Sequence, residues 1–196
     1  MTGPGQTEFL AALGALREGL EALGAPWMCI GGVAVIASGV PRFTGDIDAT
    51  ILASAVDPER VVRVMASHRI TPRIEQAVEF ARQRHVVLLR HEPSDVPVDV
   101  SLAWLPFEEE AIRTAMERDY GGVPVRVPRV EDLIIYKMVA ARTRDLEDVE
   151  RLLLLHAARL DVARIKRIVV EFAEVLEDRT RVEALERLLR SAGLER

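Results

Sequence analysis

The stretch Asp46–Leu52, "DIDATIL", alternates polar and apolar residues with a period of two. In a strand, successive side chains point to opposite faces, so Asp46, Asp48 and Thr50 share one side while Ile47, Ala49 and Ile51 share the other. A chain with this pattern must build a sheet with one face packed against apolar neighbours. The opposite face then carries two acids whose Cα atoms lie about 6.5–7 Å apart, two strand rises. Alone, such a pair also fits solvated acids on the open face of an antiparallel sheet.

The pattern recurs at Val96–Ala103, "VPVDVSLA", where Val98, Val100 and Leu102 oppose Asp99 and Ser101. If the two strands are neighbours on one core, three carboxylates meet on one surface. Acids that close repel, and their pKa values rise unless a cation offsets the charge. A divalent ion does this, and Mg²⁺ prefers a few carboxylates with water and substrate phosphate in its remaining positions.

The rest of the chain reads as a frame for these strands. Apolar spacing and Gly24 predict a helix over Thr7–Leu23 with Thr7 as N-cap. Trp27–Ile30 reads as a buried strand, Gly31-Gly32 as a tight turn, and Val33–Ser38 as a short helix. Further helices are expected from Pro58 to His68, over Ile74–Ala81 and from Phe107 to Arg118. "HVVLLRH" and "VPVDVSLA" form two strands joined by a turn at Glu92–Asp95, and "GGVPVRVP" reads as an edge strand. From Val130 onward the pattern is helical. The expected class is α+β, with a mixed part over 1–128 and a helical part over 129–196. The two are expected to pack as one unit, because no flexible linker divides them.

Composition narrows the chemistry. A formal charge of −5 gives no general attraction to phosphate backbones, so any nucleic-acid contact needs a local basic patch. Cys29 is the only cysteine, which rules out an internal disulfide and a thiolate zinc site. No run approaches the ~18 apolar residues of a membrane span. The N-terminus lacks the basic-then-apolar order of a signal peptide, so a cytoplasmic location without membrane attachment is expected. His68, His85, His91 and His156 show no metal-ligand spacing.

Three further features surround the acids. Gly31-Gly32 lies at a strand-to-helix turn, where backbone N–H groups attract phosphate, although a tight turn needing positive φ also explains it. Lys137 is the only charge from Leu133 to Ala141. It either snorkels to solvent or projects toward a triphosphate as a point charge. Asp145 pairs with Lys137 or caps the next helix. Arg42 either holds phosphate or acceptor, or is a surface charge after Pro41.

The order Gly-Gly, then "PRFTGDID", then a lone strand Asp, then Lys followed by "RTRDLED" resembles the polymerase-β-like nucleotidyltransferases. It resembles in particular the AbiEii/MenT-type group of toxin–antitoxin systems, over approximately residues 26 to 155. The resemblance implies a mixed sheet flanked by helices with a helical C-terminal region. It implies Gly31 and Gly32 at nucleotide phosphates, Asp46 and Asp48 on Mg²⁺ in a two-metal site that also takes Mn²⁺, and Asp99 as third acid and metal ligand. In such folds that acid deprotonates or orients the acceptor hydroxyl. Lys137 corresponds to the triphosphate contact and Asp145 to its accompanying acid. Many relatives have Gly-Ser where this chain has Gly-Gly, which removes a hydroxyl. For the basic residue expected between the D-x-D and the third acid, Arg63, Arg73, Arg82 and Arg84 compete.

The expected activity is transfer of a nucleoside monophosphate from an NTP to a hydroxyl of RNA, tRNA in particular, or of a protein, with an antitoxin as a possible partner. A metal-dependent phosphodiesterase or nuclease could use the same acids without Lys137 or the glycine turn. A non-catalytic nucleotide-binding module of the same fold is the third class. Arg126, Arg129, Arg142 and Arg144 are the local basic residues available to RNA, interspersed with acids that fit a solvated helix surface equally well.

Overall fold

Both alternating segments become neighbouring strands in the computed structural model, which describes residues 4–195. The first strand, β1 (Trp27–Cys29), runs antiparallel to β2 (Ile47–Leu52), and β2 runs parallel to β5 (Val96–Ala103). β5 in turn pairs antiparallel with β4 (Val86–His91), and β4 with β3 (Ile70–Pro72), giving the order β1-β2-β5-β4-β3.

One face of this sheet meets the main core. Ile47, Ala49 and Ile51 of β2 and Val98 and Val100 of β5 are fully buried there. They join Leu13, Leu16 and Leu20 of helix α1 (Pro4–Leu23) and Val61 and Met65 of α3 (Pro58–Ser67). The same buried cluster continues through Leu133, Val149, Ile165 and Leu185. These belong to α6 (Val130–Ala140), α7 (Thr143–His156), α8 (Val162–Val175) and α9 (Thr180–Ser191). Of the shorter helices, α2 (Gly31–Ala37) lies between β1 and β2, and α4 (Ala77–Arg84) between β3 and β4.

The acid-bearing face is not open along its length, contrary to the expectation from alternation. Thr50 is fully buried. A second, smaller cluster of Met28, Ala103, Ala111 and Ile112 covers that end of the face, with Tyr136 beside it. Its lid is α5 (Pro106–Arg113). Asp48 and Asp99, near the starts of β2 and β5, stay partly exposed beyond this cover.

Boundaries differ where a partner rather than a local pattern decides them. α1 begins at Pro4, three residues early, so Thr7 lies inside the first turns and caps nothing. α4 is displaced toward the C-terminus, bounded by Gln76 and His85 in left-handed conformations. The helix expected to reach Arg118 stops at Arg113, and Met116–Tyr120 forms β6 instead. That strand pairs with β7 (Val123–Val127) through Gly121-Gly122, both at positive φ as a two-residue hairpin turn requires. Met116–Tyr120, "MERDY", has no alternation of its own. Its conformation is set by the turn and by β7.

Candidate active site

Register brings the third acid to the first pair. Along the parallel β2–β5 ladder, Asp48 lies directly opposite Asp99. Both are partly exposed at the uncovered end of the sheet, while Asp46 is exposed just before β2. On the other side of β2 the chain leaves β1, and the Ile30 N–H donates to the Asp48 carbonyl at 2.9 Å. This hydrogen bond places Gly31, with φ +58, against the Asp48 side chain. A Cβ at Gly31 would lie 2.0 Å from Asp48 Oδ2.

Gly32 is equally confined. A Cβ there would lie 2.3 Å from Thr44 Oγ1 and 3.2 Å from an Arg42 nitrogen. No room exists for a serine hydroxyl at this position, because Thr44 fills it. The Thr44 hydroxyl donates to Asp46 Oδ1 at 3.0 Å. Each glycine thus touches the machinery of one acid, Gly31 directly at Asp48 and Gly32 through Thr44 at Asp46. Gly31→Ala is expected to push the Asp48 carboxylate aside and to strain the backbone by about 1–2 kcal/mol. Urea denaturation should report that loss, and any turnover that depends on the Asp48 carboxylate should fall by much more than the stability change predicts. An alanine variant with normal turnover would contradict the assigned contact.

Burial is the main cause that raises the Asp48 pKa to about 6, with Asp46 and Asp99 adding to it and Lys137 and Arg142 opposing. Asp99 is also raised by burial, against the pull of Arg73. Of the four arginines that compete in sequence, the structure selects Arg73. It follows β3, and its guanidinium stands 2.8 Å from Asp99 Oδ1 and donates to Oδ2 at 3.3 Å. Arg82 instead pairs with Glu59 at 2.8 Å, and Arg63 and Arg84 are exposed on α3 and α4.

Lys137 does not snorkel to solvent. It is buried, with Nζ at 2.8 Å from Asp145 Oδ1 and 2.9 Å from Asp148 Oδ2. The helix does not continue from Lys137 to Asp145, because Ala141 adopts φ +50 and α7 starts afresh. That turn still returns Asp145 to Lys137, and its other oxygen accepts the Arg142 N–H at 3.3 Å, so it performs both expected roles. Arg42 is no surface charge: its side chain is 8% exposed and meets Asp148 Oδ2 at 2.5 Å. Asp148 therefore bridges the loop before β2 to α6, a role missed in the sequence. Its signal was an acid set beside Val149 and Leu152 on the apolar side of α7.

The donor set fits a hard divalent cation completed by substrate. Two carboxylates beside a third, with Asp48 and Asp99 raised in pKa by burial first and by neighbouring acids second, form a site whose charge a cation relieves. Among the described residues, no group of three or more His, Cys, Asp or Glu side chains stands ready to hold a metal ion. Asp99 is turned to Arg73 rather than joined to Asp46 and Asp48 in a closed set. One or two carboxylates plus phosphate oxygens are what Mg²⁺ takes. Cys29, behind Asp48, has its thiol pushed up to about 12 by burial and is no competing ligand.

Residues 15–195 match the family model described as nucleotidyl transferase AbiEii toxin, type IV toxin–antitoxin system. No curated protein matches the sequence. The solution structure of the antibiotic-resistance factor ANT(2'')-Ia is similar over 92% of this chain and 96% of its own, at 20% identity and a TM-score of 0.60. Its crystal structure in complex with adenylyl-2''-tobramycin is similar over 84% and 99%, at 18% identity and 0.56. An antigenic nucleotidyltransferase-like protein from Paracoccidioides brasiliensis follows over 90% and 92%, at 16% identity and 0.51. At these identities the likeness is one of fold.

Proposed function

The chain belongs to the AbiEii family of nucleotidyltransferases, and from that premise we propose that it transfers a nucleoside monophosphate from an NTP to a hydroxyl of RNA, tRNA in particular, or of protein. Asp46 and Asp48 would hold Mg²⁺, in a two-metal site once the nucleotide is bound, and Mn²⁺ could substitute. Asp99 is the third acid of that set. A bound ion neutralises charge on the phosphates and on the leaving group.

The chain's own residues do the rest. Gly31 and Gly32 offer backbone N–H groups to the phosphates at the strand-to-helix turn, while their lack of a Cβ makes room for Asp48 and Thr44. Lys137, aimed by Asp145 and Asp148, supplies a point charge to the triphosphate. Asp99 takes the proton of the acceptor hydroxyl while that oxygen attacks the α-phosphorus. The bond from the α-phosphorus to the bridging oxygen breaks, and pyrophosphate leaves with the electron pair. A carboxylate whose pKa is raised is the better proton acceptor, and Asp99 is raised. Arg42 holds the loop that carries Asp46.

The observation that carries this reading is the register of Asp48 against Asp99, with Gly31 packed on Asp48. The test is incubation of the protein with each labelled NTP and with total RNA or protein, comparing wild type with the Asp46→Asn/Asp48→Asn double variant. Pyrophosphate release and label incorporation are expected for wild type alone. Label that survives the double substitution would remove the metal assignment, and RNA cleavage without pyrophosphate would favour a nuclease. The family also points to an antitoxin partner, which co-expression with the neighbouring reading frame would reveal as relief of toxicity. Among the described residues no helix is long and apolar enough to cross a membrane.

A further inference from the structure

The loop between α2 and β2 holds an aromatic ring in solvent without leaving it loose. Phe43 is 82% exposed, the most exposed large apolar side chain among the described residues. Its carbonyl, however, accepts from two guanidiniums, Arg42 from its own loop at 3.2 Å and Arg144 from α7. The ring leans on the next turn of the loop, 3.6 Å from where a Cβ on Gly45 would lie. Gly45 precedes Asp46. A hydrophobic side chain at this exposure costs nothing to replace by a polar one, yet here two arginines fix its backbone beside a candidate metal ligand.

The ring forms one wall of a pocket of about 360 Å³, within the range of small-ligand sites. Phe9 and Tyr120 form another wall, their rings 5.9 Å apart, and Arg42, Thr44 and Gly45, the residue before Asp46, complete the lining. The lining contains no carboxylate, and its one guanidinium, Arg42, is already paired with Asp148 behind it. A lining of aromatic rings without a free acid selects against an amine-rich ligand and suits a flat ring. Aromatic faces that stack on bases are how unpaired nucleotides are held without sequence preference.

We propose that Phe43, with Phe9 and Tyr120, forms a stacking subsite for an unpaired nucleobase beside Asp46. The proposal rests on the nucleotidyl-transfer reading and adds a base-binding residue to it. The base belongs either to the NTP or to the single-stranded end of a nucleic-acid acceptor, which carry the same flat π-face.

Phe43 packs against little, so Phe43→Ala, Phe43→Leu and Phe43→Trp should all fold with unchanged melting. Equilibrium binding is measured to ATP, GTP, CTP and UTP, to a short single-stranded RNA, and to the same RNA annealed to its complement. Loss of one stacking contact weakens binding roughly five- to a hundredfold in the alanine variant. Trp should restore it, and Leu should not. Weakened NTP binding alone assigns the base to the nucleotide. Weakened single-strand binding with an unchanged duplex assigns it to the acceptor. Equal affinities of wild type and Phe43→Ala for every probe, or no binding of any probe by wild type, would overturn the subsite. Binding is read without turnover, so a wild type that binds NTP but transfers nothing defeats the functional reading and leaves the subsite standing.

Discussion

Asp48→Asn is expected to make the metal-free protein more stable at neutral pH while reducing nucleotidyl transfer by about a thousandfold, several kcal/mol of transition-state stabilisation. The sign follows from the direction of the pKa shift. Burial and the neighbouring acids raise Asp48 from 3.8 to about 6, so the native state holds its proton more tightly than the unfolded chain does. Below the unfolded value both states are protonated and the group contributes nothing. As pH rises to about 6, the native state must accept an unfavourable charge and stability falls, by up to about 3 kcal/mol for a shift of this size. Partial exposure reduces this toward 1–2 kcal/mol, or roughly 2–8 °C in Tm for a chain of this length. An amide of the same shape removes the charge. The variant should therefore melt higher than wild type at pH 7.5 and nearly level with it at pH 4. Adding Mg²⁺ should stabilise wild type and leave the variant unmoved, and the apparent Mg²⁺ affinity of wild type should fall about tenfold per pH unit below about 6, because the ligand must lose its proton to bind. A variant that melts lower than wild type at pH 7.5 without metal would show that Asp48 is not a strained charge.

That strain shows which parts of the site were legible in the sequence. Alternation places Asp46 and Asp48 off the apolar face, and again Asp99, because a period of two is a local property of each strand. What alternation does not hold is pairing. That Asp48 faces Asp99, and not Ser101, depends on register along a parallel ladder whose strands lie far apart in sequence. The covering of Thr50 by α5 has the same origin, as does the choice of Arg73 from four arginines. Met116–Arg118, the start of "MERDY", reads as helix because its neighbours upstream are helical and its strand partner comes later in the chain. Gly31-Gly32 reads as a phosphate turn from backbone chemistry, but its contacts with Asp48 and Thr44 come from three separate segments meeting. Lys137 was conspicuous as a lone charge among apolar residues. Asp148 was equally unusual on its own helix, and an acid placed toward a core calls for a cation as surely as a lone lysine calls for an anion.

Asp148→Ala should cost about 3–5 kcal/mol of stability, the effect of removing one member of a buried ion cluster. Asp148 is 1% exposed and shares one oxygen between Arg42 at 2.5 Å and Lys137 at 2.9 Å. Its loss leaves Lys137 with Asp145 and leaves Arg42 with no carboxylate partner among the described residues. Water cannot easily replace what the acid supplied, so the penalty is that of unpaired buried charge and not merely a lost hydrogen bond. Urea denaturation should show the midpoint falling with little change in slope. Arg42→Met alone should also destabilise. Combined with Asp148→Ala it should cost clearly less than the sum of the two, because the second substitution removes a charge the first had stranded. Activity should fall with stability but by a separate route. Arg42 ties its loop to Asp148 and to the Phe43 carbonyl, and Thr44 on that loop aims Asp46. Under conditions where the variant remains folded, turnover should therefore fall together with a loss of Mg²⁺-dependent stabilisation. A cost below about 1 kcal/mol, the range of an exposed pair, or strict additivity with Arg42→Met, would mean that Asp148 fills space without coupling the loop to α6.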